Sequence, residues 1–141
     1  MITLIIHQEV IMPDDFSYRL IYNKETDYTY RWIININDVA FKLVILKWRV
    51  PKPLPKIINV RLDQGKHDTI RYWTNIELLN NSAIALKPIK ENLIFHEDHT
   101  ETYRYKAITI NDNTAIEDVY IPKELTFHKA PHLAITVSWD Y

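Results

Sequence analysis

Apolar and polar residues alternate with a period of two along most of this chain, and Ile, Val, Tyr, Thr and Trp dominate the alternating stretches. Successive side chains of a strand point to opposite faces of a sheet, so this pattern indicates strands with one buried face. The pattern predicts an all-β fold: an antiparallel, jelly-roll-like β-sandwich or a flattened barrel of about nine or ten strands. Residues 1–141 show no linker or internal repeat, so we expect a single domain.

The clearest local prediction is a hairpin over residues 16–34. Pairing around the polar turn after Tyr22 sets Tyr22 opposite Tyr28 and Tyr18 opposite Trp32. All the aromatic rings of the hairpin then lie on one face, whereas a slip by one residue would scatter them over both faces. We therefore expect this aromatic face to be buried.

The same register places Arg19 directly opposite Arg31 on the other face of the hairpin. Two like charges in this position repel each other unless a nearby group neutralises them. A bound anion or acidic partner would do so, which makes both arginines candidate ligand-binding residues. The alternative is an acidic side chain on a third strand.

Trp73 and Arg71 are the other candidate ligand-binding residues. Both belong to a predicted strand over residues 70–78, where Trp73 occupies the outward parity between Arg71 and Asn75. An exposed aromatic ring beside a basic residue stacks on sugars or bases and also anchors protein interfaces. If the outer face of the sheet is itself covered, Trp73 is instead part of a second packed face.

Neutral imidazoles and carboxylates suit a Zn, Fe or Ni site, and one histidine cluster of the sequence has the spacing of metal ligands. The candidate ligands are His96, His99, Glu101, His128 and His132. On a continuing strand Glu97, His99 and Glu101 share one face, and His96 points to the other. The alternative is a solvated, charged turn between two strands, and on this interpretation the protein needs no metal and no other cofactor.

The chain has a single glycine and no cysteine. Walker, dinucleotide-binding and kinase-type loops each need several glycines, so those nucleotide-binding classes are excluded. The formal net charge is −1, although residues 41–75 carry 8 basic and 2 acidic side chains. No recognisable nucleic-acid-binding pattern accompanies them, which argues against a nucleic-acid partner.

Three features predict how the strands are connected and paired. The apolar parity changes within residues 102–110, which predicts a β-bulge near Lys106. The alternating prolines of residues 51–55 cannot donate ladder hydrogen bonds and predict a crossover between two sheets. The run 133–141 has no charge in its outer row before Asp140, so at a sheet edge it would pair with a second copy. We therefore expect a homo-oligomer in contact through this strand; a central strand in a monomer is the alternative.

These patterns favour a non-catalytic binding or assembly module that acts through a sheet face or the end loops, with another protein or a second copy as its partner. A metal-dependent enzyme is one alternative, and a barrel that encloses a small apolar ligand is the other. The apolar run at the start of the chain is short and lacks a basic leader. It does not match a signal peptide or a membrane span, so we expect a cytoplasmic protein without membrane contact.

Overall fold

The computed structural model describes residues 15–63, 73, 78, 86–108, 113–125 and 129–140. These residues form eight strands, namely β1 (Asp15–Glu25), β2 (Thr29–Ile36), β3 (Val39–Leu46), β4 (Ile57–Asp63), β5 (Ile89–Asp98), β6 (Thr102–Ala107), β7 (Ile116–Pro122) and β8 (His132–Asp140). Short 3-10 turns, Lys47–Arg49 and Lys123–Leu125, follow β3 and β7. The prediction of an all-β fold is confirmed.

The eight strands form a closed barrel in the order β1-β2-β3-β7-β6-β5-β8-β4, and β4 pairs back with β1. Every neighbouring pair is antiparallel, as expected. Of the two predicted forms, a sandwich or a flattened barrel, the structure has the barrel, and the described residues form eight strands where about nine or ten were expected. Alternation marks the inner and outer faces of strands in sandwiches and barrels alike, so it did not distinguish between them.

The predicted strand over residues 70–78 falls largely outside the described residues. Of its two described members, Trp73 has no regular secondary structure and Leu78 has a helical conformation. The strand prediction is therefore wrong at both positions. No helix in the described part of the chain is both long and apolar enough to cross a membrane.

Large apolar side chains pack inside the barrel. Trp32, Phe41, Leu43 and Ile45 are 0% exposed and belong to one continuous cluster of buried residues. The indole Nε1 of Trp32 donates a hydrogen bond to the Pro55 carbonyl at 3.0 Å, so its polar group is satisfied. The interior of an eight-stranded barrel is just wide enough for side chains to fill, and burying each such residue contributes roughly 2–3 kcal/mol.

The β1–β2 hairpin is present, but its register differs from the predicted one. Tyr22 pairs with Trp32 instead of Tyr28, a displacement of four residues. The turn is tighter than expected because the Thr26 N–H donates to the Thr29 carbonyl at 2.9 Å, which leaves Tyr28 in the turn and 78% exposed. An even displacement preserves the parity, so the rings of Tyr22 and Trp32 still contact each other inside the barrel.

Strand β8 is hydrogen-bonded on both sides, to β5 and to β4. The hypothesis that its edge pairs with a second copy is therefore wrong, because that edge is already occupied. The connection from β3 to β4 contains residues 51–55 and joins strands that are not neighbours in the barrel. The prolines predicted a crossover between two sheets; the connection instead joins two non-neighbouring strands of one closed barrel.

Candidate functional site

A β-bulge in β5, within the predicted histidine cluster, determines which side chains of this strand lie on the outer face of the barrel, here called the outer wall. The β5–β6 register shifts between Phe95 and Glu97, so the extra residue is His96. The prediction of a bulge near Lys106 of β6 is therefore wrong in position, because the bulge lies on the neighbouring strand, β5. Without the extra residue, Glu97 would share the inward face of Phe95; with it, Glu97 pairs with Arg104 on the outer face.

Four strands each contribute one side chain to a row across this outer wall. Lys42 of β3 pairs with Tyr120 of β7, then comes Arg104 of β6, and Glu97 of β5 completes the row. The Lys42 Nζ lies 5.3 Å from the centroid of the Tyr120 ring, and the Arg104 guanidinium carbon lies 5.6 Å from it. Each cation–π contact contributes on the order of 0.5–1 kcal/mol at a partly exposed position.

Asp118 neutralises the cations on the β6 side of the row. Its Oδ1 accepts a hydrogen bond from Arg104 Nε at 2.8 Å and lies 3.1 Å from Lys106 Nζ. Asp118 is only 8% exposed, so these contacts are shielded from solvent. This hydrogen bond, which Arg104 donates to the Asp118 carboxylate, raises the pKa of the Arg104 guanidinium. Both cations of β6 thus belong to the ion pairs of the wall.

A groove of about 410 Å³ lies beside Tyr120. It is lined by Val39, Ala40 and Lys42 of β3, by residues 99–102 at the β5–β6 turn, and by Tyr120. The His99 ring lies 5.8 Å from the Tyr120 ring, and its Nε2 is 3.0 Å from Glu97 Oε1. The volume falls in the range of small-molecule sites, and the lining combines an aromatic ring with several polar groups.

Two charged groups of the groove have no ion-pair partner among the described residues. Within the described residues, neither the half-buried Lys42 nor the exposed Glu101 has an ion-pair partner, and the two do not pair with each other. The Tyr120 hydroxyl has no hydrogen-bond partner in the same part of the chain. Burial raises the pKa of the Tyr120 phenol, and Asp118 adds to the effect. The phenol therefore stays protonated at neutral pH and can donate a hydrogen bond.

The structure brings together only part of the predicted metal-ligand set. His99 and Glu101 both line the groove. His96 is the exposed bulge residue and His132 lies on β8. His128 is outside the described residues. Among the residues that are described, no group of three or more His, Asp or Glu side chains is arranged to hold a metal ion.

The two arginines predicted to oppose each other are not cross-strand neighbours. Arg19 pairs with Asn59 of β4, and its guanidinium donates a hydrogen bond to Asp140 at 2.8 Å. The Nε of Arg31 donates a hydrogen bond to Asn23 Oδ1 at 2.8 Å. The predicted opposition is wrong because the hairpin register is displaced. The repulsion that suggested a bound anion between Arg19 and Arg31 is therefore removed.

Trp73 packs on the outside of β5 and β8. Its backbone N–H donates to Asn92 Oδ1 at 2.7 Å, and Asn92 Nδ2 donates back to the Trp73 carbonyl at 3.0 Å. The indole Nε1 donates to the Ile135 carbonyl at 2.9 Å, and Lys90 Nζ lies 4.6 Å from the ring. These contacts support the alternative of a second packed face. Arg71 is outside the described residues.

A second polar cluster lies at one end of the barrel. Glu91 of β5 accepts hydrogen bonds from the backbone N–H groups of Ala115 at 2.6 Å and Ile116 at 3.1 Å. Arg49 is 1% exposed and donates to the Lys87 carbonyl at 2.9 Å. Burial raises the pKa of the Glu91 carboxyl to about 7, although the two N–H donors and Arg49 lower it. This cluster fixes the chain just before β5 and β7.

The sequence pattern did not single out Lys42, Tyr120, Arg104 or Asp118. Their only signal is that all four occupy outward positions of alternating strands, a property shared with many solvated residues. Their proximity depends on which strands are neighbours. Comparison with known proteins finds no matching family model, no matching curated protein and no matching solved structure, so no function carries over from a relative.

Proposed function

We propose that this protein is a non-catalytic binding module that acts through the outer face of its sheet, at the groove beside Tyr120. The observation that carries the proposal is that Lys42 and Glu101 line this groove without an ion-pair partner in the described part of the chain. By contrast, Asp118 neutralises Arg104 and Lys106 on the same wall. A few uncompensated polar groups in a concave site are what orient a bound molecule.

The other two candidate functions have less support. The packed rings and aliphatic side chains inside the barrel, such as Trp32 and Phe41, argue against an enclosed apolar ligand. For a metal-dependent enzyme, the groove supplies His99 and Glu101, whereas protein zinc sites use three or four ligands. Binding on the outer wall requires neither a hollow interior nor a third ligand.

Chemical-shift mapping tests this proposal. Uniformly ¹⁵N-labelled protein is titrated with a panel of small compounds that includes polar molecules, a fatty acid and zinc chloride. We expect polar compounds to shift the amides of residues 39–42, 99–102 and 120. Thr100→Trp, which fills the groove, should abolish these shifts. Ser17→Trp places the same side chain on the exposed face of β1 and should preserve them.

Two outcomes contradict the proposal. If the fatty acid shifts inward residues such as Leu43 and Val119, and polar compounds shift nothing, the barrel encloses an apolar ligand. If zinc binds near-stoichiometrically and His99→Ala abolishes that binding, the metal-dependent alternative replaces a metal-free binding site.

A further inference from the structure

We infer that the groove beside Tyr120 binds a small zwitterion, a molecule of amino-acid size that carries a carboxylate and an ammonium group. The inference rests on the proposed function and deepens it by naming the class of ligand. Its basis is that one cation and one anion line the same concave site without an ion-pair partner among the described residues, Lys42 on the β3 side and Glu101 on the β5–β6 side.

The two groove charges favour a ligand that carries both signs. An anion attracted to Lys42 also meets the carboxylate of Glu101, and a cation attracted to Glu101 meets the ammonium of Lys42. A molecule with one charge of each sign can place its carboxylate near Lys42 and its ammonium near Glu101. It then gains an attraction at each end and avoids both repulsions. Because neither Lys42 nor Glu101 has an ion-pair partner in the described part of the chain, binding does not require such an ion pair to break.

The remaining groups of the groove fit the same class of ligand. Thr100 and Thr102, which each carry a hydroxyl, are among the lining residues, and the protonated Tyr120 phenol is a donor. Carboxylate and ammonium groups each need several hydrogen bonds when they leave water, and hydroxyls serve both because they donate and accept. His99 is oriented by its contact with Glu97 at 3.0 Å, so its ring supports the Tyr120 side of the groove.

The volume limits the ligand to a small molecule. About 410 Å³ accommodates an amino acid or a dipeptide but not a folded partner. The side chain of such a ligand lies along Val39, Ala40 and the Tyr120 ring, which supply the less polar part of the lining.

The test is an NMR titration with probes that separate the two charges. Glycine, L-alanine and L-glutamine carry both groups, sodium acetate carries only the carboxylate, and methylammonium chloride carries only the cation. Ionic strength is held constant, and the amides of residues 39–42 and 99–102 are followed. We expect saturable shifts with the amino acids and at least tenfold weaker binding of acetate and methylammonium, because each probe lacks one charge-assisted interaction.

Substitutions assign the charges to residues. Lys42→Met and Glu101→Gln should each weaken amino-acid binding at least tenfold. Lys24→Met and Asp27→Asn remove exposed charges of the same signs near the β1–β2 turn and should leave the affinity unchanged. The amide spectrum of each variant without ligand shows whether it is folded.

The outcomes separate this inference from the proposed function. If acetate binds as tightly as glycine and Glu101→Gln has no effect, the ligand is a simple anion; the zwitterion is wrong and the outer-wall binding site stands. If the amino acids do not shift the groove amides while another compound of the mapping panel does, the zwitterion is again wrong and the outer-wall binding site stands. If no compound of either set shifts these amides, both proposals are wrong.

Discussion

The carboxyl of Glu91 titrates near neutral pH because it is buried at the barrel end beside Arg49. Its hydrogen bonds from Ala115 and Ile116 satisfy two backbone N–H groups at the start of β7, which explains why a carboxylate is retained there. The raised pKa, about 7, means that the folded protein holds a proton that the unfolded chain releases at lower pH.

The pH dependence of stability follows from this difference. Glu91 has a pKa of about 7 when folded against an ordinary value of 4.5, so between these pH values the native state binds more protons than the unfolded state. This group therefore lowers the free energy of unfolding as pH rises from about 4.5 to about 7, by roughly 3 kcal/mol in total. Urea denaturation at pH 5, 6, 7 and 8 measures the change.

Substitutions isolate the contribution of Glu91 to this pH dependence. Glu91→Gln should remove the Glu91 part of the slope, whatever its effect on absolute stability. Glu101→Gln changes an exposed carboxyl and should leave the slope as in the wild type. An identical slope in the wild type and in Glu91→Gln would show that another group titrates in this range.

At the scale of single elements, the bulge in β5 links the local sequence to the outer-wall site. One extra residue, His96, moves Glu97 from the inward to the outward face, where it contacts His99 and Arg104. The bulge therefore keeps a carboxylate out of the core and places it beside the groove.

Deleting His96 tests this role. A β5 strand without the bulge would direct Glu97 toward the core beside Phe95, so we expect a loss of stability of roughly 3 kcal/mol or more. His96→Ala keeps the extra residue and should change stability by less than about 1 kcal/mol, because the side chain is exposed. Equal denaturation midpoints for the two variants would contradict the assigned role of the bulge.

At the scale of the whole molecule, barrel closure gives every described strand a partner on both sides. A two-layer sandwich has edge strands whose outward N–H groups bond to water, whereas a closed barrel has none. The positions of β4 and β8 follow from this closure, since β4 joins β8 to β1.

Hydrogen exchange distinguishes the two architectures. Amides of β4 and β8 that take part in ladder pairs should exchange as slowly as those of β2 and β3, since all of these strands lie inside a continuous ladder. The exposed turn at Asp27 serves as the fast-exchanging internal reference. A regular alternation of fast and slow amides along β4 or β8 would identify an open edge and contradict the closed barrel.

Much of the fold class was predictable because side-chain parity is a local property of a strand. Tyr22 and Trp32 lie inside the barrel as alternation indicated, even though their pairing differs from the predicted register. The groove was not predictable in the same way. Lys42 and Glu101 are distant in sequence, and they line the same groove only because β3 pairs with β7 and β7 with β6.

The sequence by itself determined that the chain is built mainly of strands and, where no bulge intervenes, which side chains of a strand share a face, since a period of two depends only on neighbouring residues. Only the tertiary structure decided that the sheet closes, that the bulge falls at His96, and that Lys42, Glu101 and Tyr120 line one groove. These features depend on strand order and register, which are set by packing between distant segments and by the geometry of turns.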